Sequence, residues 1–184
     1  RWENRYRLFE YGTFLNPVIY TEYENLGEDT KYAMEIAGRE DANPQTKTRP
    51  RERVLESRII LGQDLSERLD VSFNWINESD LDTGVTSFGY AFGLNYKLPA
   101  PPRASEHAKE GHKEGSRDML FGLEFFGALG DSDKGMTADA NVTQHYVSPN
   151  VKFHYGTAMI KLGWTTGLTN VSQDIVRVAV GYDF

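Results

Sequence analysis

From residue 88 to 98 the chain alternates without a break. Phe88, Tyr90, Phe92, Leu94, Tyr96 and Leu98 hold the even positions, while Gly89, Ala91, Gly93, Asn95 and Lys97 hold the odd ones. Successive side chains of a β-strand point to opposite faces, so this segment predicts a strand with one large apolar face and one small or polar face. The same split recurs. Met119, Phe121, Leu123 and Phe125 oppose Gly122 and Glu124, and Val151, Phe153 and Tyr155 oppose Lys152 and His154. Ala158, Ile160, Leu162 and Trp164 oppose Lys161 and Gly163. Earlier, Leu69, Val71, Phe73 and Trp75 oppose Asp70, Ser72 and Asn74, and Leu55, Ile59 and Leu61 oppose Glu56 and Arg58. The first two segments are weaker: Trp2, Tyr6 and Leu8 stand against Glu3, Arg5 and Arg7, and Ile19, Thr21 and Tyr23 against Glu22 and Glu24.

These segments predict about nine strands, near residues 1–9, 16–24, 53–62, 68–78, 85–98, 118–129, 145–155, 157–166 and 173–184. Three long connections separate them, at 27–50, 99–117 and 130–142, and the first contains an apolar-leaning piece at 32–36 that could add a short strand. In a soluble sandwich the large apolar face points at a core; in a membrane barrel it points at lipid and the small, polar face lines the lumen. Arg or Lys at a lipid-facing midplane position costs roughly 2–4 kcal/mol, which makes the charged face the lumen. That lining comprises Arg5, Arg7, Glu22, Glu24, Glu56, Arg58 and Asp70 in the first half. Lys97, Glu124, Lys152, His154, Lys161 and Arg177 continue it in the second. In a narrow barrel such charges must pair and form a plug, whereas in a wider one they line a water-filled path.

The last residues sharpen the picture. Val178, Val180, Tyr182 and Phe184 alternate with Ala179, Gly181 and Asp183. An apolar residue at every second position and a terminal Phe resembles the signal, here Val178, Val180, Gly181, Tyr182 and Phe184, that the barrel-assembly machinery reads on outer-membrane proteins. The chain also resembles a family of uncharacterised proteobacterial and acidobacterial outer-membrane proteins. The resemblance lies in Arg5-Tyr6-Arg7-Leu8-Phe9-Glu10, in residues 16–24 and 55–61, and in Tyr90-Ala91-Phe92-Gly93. It implies a β-barrel in the bacterial outer membrane and brings no catalytic motif. Bacterial barrels usually have an even number of strands with both termini in the periplasm, so an odd count ending at Phe184 implies at least one strand upstream. With that end periplasmic, residues 27–50, 80–84, 130–142 and 167–172 face outside, and 63–68, 99–117 and Gly156 face the periplasm.

Composition narrows function further. The 184 residues carry a formal net charge of -7 and no cysteine. That excludes disulfide and thiolate chemistry and disfavours nucleic acid, whose phosphates need a basic footprint. No run reaches the roughly 18–20 apolar residues of a membrane helix.

The candidate chemistry is thin. His107 and His112, with Glu106 and Glu110, could bind zinc, but their spacing is not the helical i, i+4 pair and a solvated loop is the plainer reading. Asp131-Ser132-Asp133 opens like a calcium loop, yet Val142 stands where an EF-hand needs a bidentate Glu. His145, Ser148 and His154 suggest a hydrolase, but Ser148 and His154 lie six residues apart on one strand, roughly 20 Å. Three glycosylation-type triplets, at Asn77, Asn141 and Asn170, carry no meaning in a bacterium. Trp2, Trp75, Trp164, Tyr96, Tyr155, Tyr182 and Phe184 fit an aromatic girdle at the membrane interfaces.

The expectation is therefore an all-β, antiparallel up-and-down transmembrane β-barrel in the outer membrane, one domain over residues 1–184. Its partners are outer-membrane lipid, the assembly machinery and a protein held at the long loops; no cofactor, no metal and no nucleic acid are expected. It is expected to be a passive channel for small polar solutes rather than an enzyme. A closed docking barrel and a lipid-modifying barrel are the alternatives.

Overall fold

A computed structural model of the chain describes residues 1–10, 12–27, 51–98, 117–155 and 157–182. The piece at 32–36, His107, His112, Asp183 and Phe184 lie outside the described residues. Among these residues the strands are β1 (Trp2–Arg7), β2 (Val18–Gly27), β3 (Arg51–Ser66), β4 (Leu69–Asp80) and β5 (Thr86–Lys97). They continue as β6 (Arg117–Asp131), β7 (Gly135–Met136), β8 (His145–Tyr155), β9 (Ala158–Gly167) and β10 (Ile175–Tyr182). No described helix is long and apolar enough to cross a membrane.

All ten strands form one sheet in the order β1-β2-β3-β4-β5-β6-β8-β9-β10, with the two-residue β7 paired to β6 alone. Every pairing is antiparallel. The chain runs up and down, each long strand beside the one before it. Nine of the strands are the nine the alternation predicts. The tenth corrects that count and the expected 130–142 loop: β7 is the return arm of a tight hairpin on the end of β6. Gly130 and Gly135 both have φ near +87°, the left-handed region open to glycine. Asp131 fixes the turn between them, its Oδ1 accepting from the amides of Asp133 at 2.9 Å and Lys134 at 2.7 Å. The carboxylate that suggested a calcium loop is thus engaged by its own turn.

Register shows what the alternation builds. Leu61, Phe73, Phe92, Phe125 and Val147 lie side by side across five strands. Leu69, Tyr96, Phe121, Val151, Leu162 and Val178 form another such row across six. Cross-strand pairs of this kind are the unit of sheet stabilisation. Yet this apolar face is the open one: Val178 is 66% exposed and Val180 75%. The opposite face holds the buried residues, among them Tyr20, Glu22, Val54, Tyr146, Ser148 and Thr165. It is concave, because side chains meet across it over intervening strands. Lys161 of β9 reaches Glu124 of β6 past β8, and the Arg177 guanidinium of β10 lies over the Phe126 ring of β6.

One central strand contains a proline. Pro149 of β8 has no amide hydrogen to give, and the β8–β9 ladder is interrupted between Val147 and Asn150. A side-chain bond bridges the gap: Thr165 Oγ1 donates to Ser148 Oγ at 2.7 Å, and both residues are almost wholly buried.

The sheet is not closed. β1 and β10 are its two edges and are not hydrogen-bonded to each other. With β7 only an excursion, nine long strands alternate in direction, so β1 and β10 run the same way. Pairing them directly would make one parallel seam in an antiparallel sheet.

Candidate functional site

The concave face gathers the charges that the alternation assigned to one side. On β1, Arg5 and Arg7 stand in register with Tyr20 and Val18 of β2. On β2, Glu22 faces Glu56 of β3, and Glu24 faces Val54. Tyr20 faces Arg58, and Asp70 of β4 pairs in register with Asp64 of β3 and Asn95 of β5. Glu124 faces Ser148, while Lys152 faces Lys161 and His154 faces Met159. Arg177 faces Gly163, and Lys97 faces Leu120. All thirteen residues of the expected lining therefore share one face, as parity requires.

Two networks order that face. At the β1–β3 end, Tyr20 is clasped between Arg5, 5.3 Å from its ring centroid, and Arg58, at 5.0 Å. Its hydroxyl bonds Glu22, which is 2% exposed and also pairs with Arg1. Arg58 pairs with Glu56, and Arg5 with Glu3 at 2.7 Å. Each buried carboxylate here has a cation beside it, the condition for keeping an ion out of water at tolerable cost. At the β6–β10 end, Glu124 accepts from Lys161 Nζ at 2.8 Å and from Asn150 Nδ2 at 3.2 Å. Lys152 and Lys161 are direct cross-strand neighbours, a like-charge pair that is unfavourable unless one is drawn aside. Glu124 draws Lys161 aside. Arg177 stacks on Phe126 at 5.0 Å, Phe126 stacks on Tyr146 at 5.1 Å, and Arg177 Nε is buried with no hydrogen-bond partner among the described residues.

Sequence reasoning missed the aromatic members. Tyr20, Phe126 and Tyr146 interrupt a face read as small or charged. Parity alone would have found them, since Tyr20 shares its position class with Glu22, and Phe126 with Glu124. The hydrolase grouping comes apart: His145 lies on the convex face, opposite Ser148 and His154, and Ser148 is bonded to Thr165.

His145 has its own role. Thr143 Oγ1 donates to the Asp139 carbonyl at 3.0 Å, so it accepts from His145 Nε2 at 3.1 Å. Nδ1 then accepts from the Tyr90 hydroxyl at 3.1 Å. This chain ties the 137–144 connection to the wall across Gly127, which lies between Tyr90 and His145 in register. A Cβ on Gly127 would collide with the His145 ring and the Gln144 carbonyl. Gly127→Val is expected to lower stability by about 1–3 kcal/mol through overpacking and to free the loop, seen as faster proteolysis between residues 137 and 144.

In the turn after β4, Asp82 accepts from Arg53 Nε at 2.8 Å, and the guanidinium holds its carboxyl below the usual carboxylate range. Of the expected assembly signal, Val178, Val180 and Tyr182 stand exposed on the convex face. Gly181 faces Met159 on the other, and a Cβ there would press on the Met159 side chain. Trp2, Tyr96, Trp164 and Tyr182 of the expected girdle are exposed. Trp75 donates to Asn77 at 2.9 Å and Trp164 to Thr166 at 3.1 Å, each bond formed along the convex face.

No protein-family model, curated protein or solved structure matches this chain, so the family resemblance rests on the residues quoted for it.

Proposed function

We propose that this chain forms the wall of an outer-membrane β-barrel whose charged concave face lines a water-filled path for small polar solutes. One observation carries the reading: large apolar residues stand exposed on one face, while the charges gather on the opposite face, where Glu22 is buried. A soluble monomer rarely exposes a contiguous apolar patch beyond a few hundred Å². Here five successive apolar rows run from the Trp75–Tyr90 level to the Phe153–Ile160–Val180 level. Rows two residues apart are spaced about 6.8 Å, so five of them cover about 27 Å along the strands. A strand tilt of 35–45° reduces this to about 20 Å of height, comparable to the apolar band of about 25 Å on outer-membrane barrels. Lipid is the environment that matches such a surface, and Arg, Lys and Glu on the concave side match water.

The ion pairs among β1–β3 favour a second reading, a barrel closed by its own charges that serves to dock a partner. Conductance separates the two. In planar bilayers the purified chain is expected to give discrete current steps, and membrane-extracted protein is expected to migrate differently on gels before and after boiling. A silent bilayer with an intact mobility shift would favour the docking barrel. A protein that stays in the aqueous phase and shows no shift would remove the membrane reading altogether.

A further inference from the structure

The charges on the concave face are sorted by sign along the sheet. On β2–β4 it carries Glu22, Glu24, Glu56, Glu78 and Asp80, with Asp64 and Asp70 at the opposite end of the β3–β4 pair. Arg58 is the one concave-facing base among the described residues of these three strands; β1 beside them adds Arg5 and Arg7 against Glu3, and Arg1 reaches Glu22, so the flank keeps an acidic excess. On β8–β10 the order is reversed: Lys152, Lys161 and Arg177 are present and no described strand residue is a carboxylate. Between the flanks, β5 presents Gly89, Ala91, Gly93 and Asn95, and β6 presents Gly122 beside Glu124. The floor is thus low, and the curvature that lets Arg177 reach Phe126 raises the basic flank above it.

A simple cation would be attracted to one flank and repelled by the other, and an anion the reverse. A neutral polyol gains little from either. A molecule with separated opposite charges gains from both, because the field runs across the trough from β8–β10 to β2–β4. The geometry points to small zwitterions, of the α-amino-acid type, as the preferred solutes, with the carboxylate turned to Lys152 and Arg177 and the ammonium turned to Asp64 and Asp70, which lie in the same cross-strand row as Arg177. Arg177, whose Nε finds no acceptor among the described residues, keeps a guanidinium that no described carboxylate neutralises. This inference rests on the channel reading and adds the solute class to it.

The test is isosmotic swelling of phosphatidylcholine vesicles carrying the purified full chain, with L-serine and erythritol as size-matched zwitterionic and neutral probes. Serine is expected to enter roughly threefold faster than erythritol, and Lys152→Glu, which places a carboxylate beside Lys161, is expected to bring the ratio to about one. Equal entry of both probes in the native protein overturns the zwitterion inference while leaving the channel intact. An unchanged ratio in Lys152→Glu also overturns it, because selectivity would then come from something other than the sorted charges. No swelling with either solute, in vesicles whose protein shows the heat-dependent mobility shift, removes the channel reading and this inference with it.

Discussion

Replacing Phe92 by Arg is expected to cost about 2–4 kcal/mol of folding free energy in lipid vesicles, and replacing its neighbour Ala91 by Arg less than about 1 kcal/mol. The two residues are adjacent in β5 and point to opposite faces. Phe92 sits in the middle of the strand, between Phe73 and Phe125 in the apolar row, and is 38% exposed. A guanidinium there would stand in hydrocarbon near the bilayer midplane. Ala91 opens onto the low floor of the concave face between Asn74 and Phe126. A longer side chain at that position reaches into the trough, where water can solvate it. Urea titration of vesicle-folded protein, read by the heat-dependent mobility shift, measures both changes. If the apolar rows were instead the free surface of a soluble protein, the order would reverse. Phe92→Arg would then be nearly neutral, and Ala91→Arg would damage the only enclosed side. The reversed order would end the membrane proposal.

Arg58→Met is expected to destabilise by about 2–3 kcal/mol, somewhat below the 3–5 kcal/mol typical of breaking a fully buried ion pair, because the Arg58 side chain keeps 35% of its exposure. Methionine retains the apolar stem against Tyr20 but removes the charge. Glu22 and Glu56 then confront each other directly across β2 and β3, with Arg1 and Arg5 the remaining cations near them. Adding Glu56→Gln should restore most of the loss, since it removes the uncompensated charge. A double variant as weak as Arg58→Met would locate the effect in packing over Tyr20 and refute the electrostatic account. Arg53→Met gives the contrast. Arg53 pairs with Asp82 at the rim, open to water, and its removal should leave the urea midpoint where it was.

These experiments address a face that was largely readable beforehand. The position class of each charged residue survives into the structure: Glu22 with Glu56, Glu124 with Lys152, Lys161 with Arg177 all share the concave side. Side-chain direction in a strand depends only on whether the position is odd or even, and a charge on one side with an aromatic on the other makes that parity visible. Where the contrast was weaker, reading failed. Tyr20, Phe126 and Tyr146 look like members of the apolar set but occupy the charged face. The β7 arm escaped because a hairpin built by two glycines at positive φ has no alternation to display in two residues. Pro149 marks where a ladder bond must be lost, but nothing local in the sequence named Ser148 and Thr165 as the pair that bridges the gap.

The sequence by itself determined the strands, their two faces and the sign of each charge, because these follow from local parity and composition. Tertiary structure decided which charges meet. Lys161 is drawn to Glu124, 37 residues away, only because β6, β8 and β9 lie side by side and curve inward. It also decided that acids collect on one flank and bases on the other, since that sorting depends on strand order in space. Finally, it decided that β1 and β10 run the same way at opposite edges: direction at a sheet edge is the sum of every turn before it, and one hairpin that adds β7 without adding a full strand changes the strand count but not the parity of the wall.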